Sequence, residues 1–149
     1  VLTRPIVPAD EDMGYLPGDM DQKMEPWTRP MYDIFEQTMT HNQMDRCISI
    51  EPLGYMRGRT FHHTLIIADE MQNSTPNQMK LLLTRIGEGT KIIVTGDLEQ
   101  SDLEGDNGLE NLVYKMQCTE LDYIQHVEMG DDDIVRHPAV KEVLGILSK

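Results

Sequence analysis

Leu65-Ile66-Ile67-Ala68 is an unbroken apolar run that stops at two adjacent carboxylates, Asp69 and Glu70. Ile92-Ile93-Val94 is a second, β-branched run, and it leads into Thr95-Gly96-Asp97-Leu98-Glu99-Gln100. Runs this short and this apolar predict buried strands of a parallel sheet. Between them Met79, Leu82, Leu83 and Ile86 return at helical spacing. Thr75 suits an N-cap, Pro76 the first helical position, and Gly87 stands where a helix commonly stops. Strand, helix and strand in this order predict a βαβ unit from Leu65 to Thr95, with parallel strands and a right-handed crossover.

The alternation continues outside that unit. Val1 to Arg4 reads as the end of a buried strand, and Pro5 to Gly18, rich in Pro, Gly and acids, as a long surface loop. Trp27, Met31, Ile34, Phe35 and Met39 form a helical stripe with Pro26 and Pro30 confined to its start. Ile48 to Glu51 predicts a short strand and Leu53 to Thr60 a connection. Leu109, Leu112, Val113 and Met116 predict a helix opened by Asp106-Asn107, and Tyr123 to Glu128 a last strand. Pro138 opens a final helix with Val140, Val143, Leu144 and Leu147 on its expected buried face. The expected fold class is α/β, with a mostly parallel sheet flanked by helices.

The carboxyl ends of parallel strands face the crevice in which open α/β sheets bind ligands. The βαβ unit therefore predicts that Asp69, Glu70, Asp97 and Gln100 gather on one edge of one sheet. Carboxylates there are costly unless something uses them, and a magnesium ion with a nucleotide phosphate is the usual user. The alternative is a strand that exits into an acidic turn. A second acidic strand end on the same edge counts against coincidence.

Composition narrows the classes. A chain of 149 residues, 39% of them hydrophobic, is long enough for one domain with a real core. No apolar stretch approaches membrane-spanning length, and no secretory leader is visible. Cys47 and Cys118 lack any metal spacing and are expected to be reduced thiols that pack inside. His62 and His63, on a strand, would point to opposite faces and make a poor joint metal site. Thirteen Lys and Arg against 26 Asp and Glu leave a net charge of −13. Acids cluster at Asp10 to Asp12, from Glu99 to Asp106, and at Asp131 to Asp133. Such a surface repels a phosphate backbone, which counts against strong nonspecific nucleic-acid binding by these residues alone. Binding in a central pore, or through an upstream part of a longer protein, stays open.

Asp69-Glu70-Met71-Gln72 with Gly96-Asp97-Leu98-Glu99-Gln100 resembles motifs II and III of superfamily 1 helicases. Further segments narrow the resemblance to the PhoH-like family of P-loop ATPases. They are Thr3-Arg4-Pro5, Gly14-Tyr15-Leu16-Pro17-Gly18-Asp19, Arg29-Pro30-Met31-Tyr32-Asp33 and Tyr55-Met56-Arg57-Gly58-Arg59-Thr60-Phe61. Thr84-Arg85-Ile86-Gly87 and Val135-Arg136-His137-Pro138 follow in the family's order, so the resemblance covers nearly the whole chain. It implies a RecA-like P-loop nucleotidase core with a Walker B segment at Leu65 to Asn73, and ATP and Mg2+ as ligands. It further implies ATP hydrolysis coupled to RNA or single-stranded DNA, in the cytoplasm of a bacterium or encoded by a bacteriophage. The family's G-x-x-x-x-G-K-[ST] loop does not occur in these residues. It is expected upstream of Thr3, so residues 1–149 are expected to be the C-terminal part of a single ATPase domain, inactive alone.

Phosphoryl transfer to water needs a metal, an oriented water and cations facing the developing charge. On the resemblance, Asp69 holds Mg2+ through a bound water and Glu70 polarises the attacking water. Gln100 contacts the γ-phosphate and the water as a sensor of nucleotide state, and Asp97 orients water or a metal-bound water. In the family this loop usually reads Gly-Asp-Ile-Thr-Gln; here Glu99 stands in place of the Thr. Thr3 and Arg4 match a helicase motif that touches single-stranded nucleic acid, although a strand-end salt bridge is an equal reading of Arg4. Arg57 and Arg59 flank Gly58 and suit phosphate or nucleic-acid contact, or pairing with the chain's many acids. Arg85, near a helix C-terminus, is favoured there for structural reasons. Arg136 is the expected charge-stabilising finger, and His137 reads as a helix cap. Superfamily 1 helicases take such arginines from a second RecA-like domain, for which this chain has no room. The resemblance thus implies that a neighbouring subunit supplies Arg136, in a ring or other heterologous homo-oligomer. The competing expectation is a nucleotide-binding regulatory module with little turnover that switches protein partners.

Overall fold

The computed structural model describes residues 1–5, 29–130, 133, 135 and 137–147, the last with backbone alone at 141, 144 and 147. The chain divides into two compact units, Val1–Cys118 and Thr119–Lys149. The first unit holds a three-stranded parallel sheet of β1 (Leu2–Thr3), β2 (Leu65–Ala68) and β3 (Lys91–Val94), in that order. Leu2 lies opposite Ile67, and β2 pairs with β3 from Leu65↔Lys91 to Ala68↔Val94. Helices α1 (residues 29–35), α2 (His41–Cys47), α3 (Pro76–Leu83) and α4 (Gly108–Gln117) belong to the same unit. The expected α/β class is the observed one, and the arrangement is consistent with a RecA-like core.

The βαβ unit forms as its residues predict. Ile66 and Ala68 of β2 are fully buried and pack with Met79 and Leu82 of α3 in one core. Thr75 opens α3 with a reciprocal capping box: its hydroxyl accepts from Gln78 N at 3.3 Å, and Gln78 Oε1 accepts from Thr75 N at 2.9 Å. The helix ends at Leu83 rather than at Gly87. Thr84 Oγ1 donates to the carbonyls of Lys80 and Leu81, and Arg85 Nε donates to Leu81. The chain then leaves the helical conformation to pair Ile86 with Phe61, with Phe61 N donating to Arg85 O at 2.9 Å. Ile86, on the predicted stripe, is 51% exposed.

Ile48 to Glu51 does not extend into a strand. It makes a single bridge, Ile50 to Leu2, along the outer side of β1. Helix α2 was not expected. Its signal is the Thr40–Gln43 capping box, but only Met44 of its seven residues is buried, too little to show a period. Leu53–Met56, read as plain connection, is a 3-10 turn that sends Leu53 and Met56 into the core. Of the stripe before α2, Trp27 lies outside the described residues and Ile34 faces solvent.

Within the second unit, α5 (Pro138–Leu147) starts at the expected proline, and His137 Nδ1 accepts from Ala139 N at 3.2 Å as an N-terminal cap. The predicted strand Tyr123 to Glu128 is irregular, with Tyr123 98% exposed. A strand needs a paired neighbour, and among the described residues none pairs with this one. Val140 and Val143 are exposed rather than buried; a helical stripe marks an apolar side without saying what covers it. Leu144 and Leu147 fall outside the described side chains. Cys47 and Cys118 are exposed thiols, not packing residues. His62 and His63 precede β2 in a loop, His63 with φ 49, and His62 Nδ1 accepts from Glu88 N. Among the described residues no helix is long and apolar enough to cross a membrane.

Candidate nucleotide site at the strand ends

Asp69 leaves the end of β2 with its N–H donated to Thr3 O at 3.0 Å, which ties it to β1. Thr95 leaves the end of β3 with its N–H on Ala68 O at 2.9 Å, and its hydroxyl donates to Asp69 Oδ1 at 2.5 Å. One carboxylate oxygen of Asp69 is thus oriented from the neighbouring strand, and the other has no hydrogen-bond partner among the described residues. Glu70 then adopts φ 54, ψ 35, left-handed backbone that costs a non-glycine residue on the order of 1 kcal/mol or more. This corner reverses the chain into the short 3-10 turn Met71–Asn73.

The reversal points Gln72 inward, where it is 1% exposed. Its Nε2 donates to Glu70 Oε2 at 2.6 Å and faces Gln100 O at 3.5 Å; its Oε1 accepts from Asp97 N at 3.2 Å. The opposite amide orientation would set an NH2 against the Asp97 N–H, so the partners dictate the assignment. Asp97 Oδ1 accepts from Glu99 N, and its Oδ2 accepts from Gln100 Nε2 at 2.6 Å. Asp69, Glu70, Asp97 and Gln100 therefore stand on one edge of the sheet, with Glu70, Asp97 and Gln100 joined through the Gln72 amide and Asp69 tied to Thr95.

Gly96 makes this approach possible. A Cβ there would lie 2.7 Å from Leu109 Cδ2, 2.8 Å from Gln72 Oε1 and 3.0 Å from Gln72 N. Gly96→Ala is expected to destabilise the protein by roughly 1–3 kcal/mol through overpacking, read as a lower denaturant midpoint. Behind the acids, Ser101 Oγ donates to Gln72 O, Asn107 Nδ2 donates to Ser101 Oγ, and Asn73 Oδ1 accepts from Asp102 N at 2.9 Å. Asn107 also caps α4, and Gly108 N donates to Ser74 O at 2.6 Å. Gln72, Asn73, Ser74 and Asn107 are buried, and this network satisfies them. Asn107 was expected only to open a helix, and sequence reasoning gave Gln72, Asn73 and Ser74 no role of their own. The available signal was a run of amides and hydroxyls beside the acidic segments.

The ion pairs among the described residues are Arg29 with Asp33 and Glu36, and Arg59 with Glu51. None neutralises the strand-end carboxylates. Mg2+ takes one or two protein carboxylates and fills its octahedron with water and phosphate oxygens. Asp69, half-buried with one oxygen that no described residue holds, fits that demand. Among the described residues no cluster of three or more His, Cys, Asp or Glu could form a complete cage.

The arginines separate. Arg59 Nη1 lies 2.6 Å from Glu51 Oε2, and its guanidinium stacks 4.7 Å over the Phe61 ring. Arg85 donates to the carbonyls of Leu81 and Arg59 and to Thr84 Oγ1, the structural role expected of it. Both arginines sit where the chain approaches β2, away from the acids at its far end. Arg57 and Arg4 have no ion-pair partner among the described residues. Thr3 is buried with its Oγ1 unpartnered. Arg136 lies outside the described residues.

A family model described as PhoH-like protein matches residues 1–148. This chain belongs to the PhoH-like family. A PhoH-like protein of Bacillus subtilis (strain 168) is 43% identical over 154 residues, covering 100% of this chain and 48% of the relative. One of Synechocystis sp. is 42% identical over 151 residues, with 97% and 45% covered. Protein PhoH of Escherichia coli (strain K12) is 39% identical over 153 residues, with 97% and 43% covered. The chain thus spans about half the length of these PhoH-like relatives.

Proposed function

We propose that this chain forms the acidic, water-activating side of an ATP-hydrolysing site in a longer PhoH-like P-loop protein. The observation that carries this reading is the junction of Asp69-Glu70 with Asp97–Gln100, held together by Gln72 and left without a cation among the described residues. Glu70 accepts the proton of the attacking water through the carboxylate oxygen that Gln72 does not hold. Gln100, bonded to Asp97, offers an amide to the γ-phosphate. Bound at Asp69, Mg2+ would neutralise phosphate charge. The phosphate loop comes from residues upstream, so residues 1–149 alone are expected to show no turnover.

The same reading extends to a helicase-like protein of the bacterial cytoplasm, with hydrolysis coupled to RNA or single-stranded DNA. Arg4 and Arg57, without ion-pair partners among the described residues, are the candidate contacts, whereas the Thr3 expected beside them is buried. Arg136 is proposed to serve the nucleotide of a neighbouring subunit in a homo-oligomer. The deciding experiment measures ATP turnover by the full-length protein with and without single-stranded RNA and DNA. Stimulation by either supports the coupling. Tight nucleotide binding with negligible turnover in both would favour a regulatory module instead. Asp69→Asn is expected to raise the Mg2+ concentration for half-maximal turnover roughly 10- to 100-fold, as loss of an outer-sphere metal contact does. A Mg2+ titration checks this, and an unchanged midpoint would remove Asp69 from the metal site.

A further inference from the structure

Gln72 is a neutral, buried side chain to which the proposed site assigns no chemistry of its own. A buried amide costs free energy unless both of its ends are bonded. Core amides commonly satisfy that need on nearby backbone. Here the shortest bond, 2.6 Å, goes instead to the side chain of the proposed base, Glu70. The other end accepts from Asp97 N in the facing loop. The amide has little room to swing, because Gly96 packs directly on Gln72 Oε1 and Ser101 Oγ fixes the main chain of residue 72 by donating to its backbone carbonyl. Asp97 in turn holds Gln100 through Oδ2. One continuous chain of contacts therefore runs Gln100, Asp97, Gln72, Glu70.

Resting on the proposed ATPase reading, we infer that Gln72 is a positioning residue that aims the Glu70 carboxylate only while the Asp97–Gln100 loop is seated against it. Glu70 sits on a left-handed corner, where its backbone alone does not select one carboxylate direction. The Gln72 bond selects it, holding Oε2 and leaving Oε1 for water. Displacement of the 97–100 loop withdraws the Asp97 N–H from Gln72, frees the amide and releases the base. In this way the nucleotide-facing loop and the base report to each other through one side chain.

The test is a double-mutant cycle in the full-length protein. Gln72→Met keeps an unbranched side chain of similar size and removes both bonds. It is expected to lower kcat about 10-fold or more while KM for ATP stays within roughly three-fold. In the Glu70→Gln background the same substitution should change kcat by less than about two-fold, because the base it aims is already gone. A merely structural amide would give equal losses in both backgrounds, and that result would overturn the inference. So would a Gln72→Met kcat within two-fold of wild type. If Gln72→Met does not fold, Gln72→Asn, too short to span both loops, is read in the same cycle. Wild-type protein without turnover would overturn the ATPase reading and this inference with it. Active wild type with additive losses overturns the inference alone.

Discussion

Glu70→Gln in the full-length protein is expected to leave ATP binding within a few-fold of normal and to cut turnover on the order of 10²-fold or more. The exchange preserves size and keeps an oxygen that can accept from Gln72 Nε2, so the loop geometry has no reason to change. The left-handed backbone at residue 70 is equally strained with Gln or Glu, which keeps stability out of the comparison. What disappears is the negative oxygen that can take a proton from water. Single-turnover kinetics beside a nucleotide titration separates the two quantities. Turnover near wild type would shift the base to Asp97. That outcome would be surprising, because both Asp97 oxygens already accept hydrogen bonds, from Glu99 N and Gln100 Nε2.

Leu82→Ala is expected to cost about 2–5 kcal/mol, whereas Ile86→Ala should stay within about 0.5 kcal/mol. Both residues lie on one apolar stripe and look equivalent by spacing. Leu82 is 0% exposed and packs with Ile66 and Met79 beneath the sheet, so truncation leaves a cavity that the core closes only partly. Ile86 lies beyond the helix, in the bridge to Phe61, where mostly backbone groups make the contact. Denaturant midpoints of the two variants check the contrast. Equal losses would mean that the helix and its buried face run on to Gly87.

Family resemblance was readable without coordinates because the acidic segments, the glycines and the Arg-containing loops stand in order along the chain. The acidic edge of the sheet was readable for a more physical reason. A βαβ unit has parallel strands, so two strands that each end in acids must present them on the same side. Asp69, Glu70, Asp97 and Gln100 stand on one edge as that rule requires. The arginines carried no such rule. A guanidinium pairs with whichever carboxylate the fold brings near, and for Arg59 that is Glu51, eight positions back along the chain.

The chain's own order of residues determined the βαβ unit, the start of α3 at Thr75-Pro76, the start of α4 at Asn107, and the acidic strand ends. Each depends on a short period or on a cap whose partners lie within a few residues, and such interactions survive in any context. Tertiary structure alone decided where α3 stops, that Tyr123 to Glu128 stays unpaired, and that Gln72 joins two loops. Those outcomes depend on partners 25 or more positions away, as Gln72 does on Asp97, or on a neighbouring strand among the described residues that 123–128 does not find. A hydrogen bond forms only where the fold sets both groups face to face, and one residue's place in the chain says nothing of the other's.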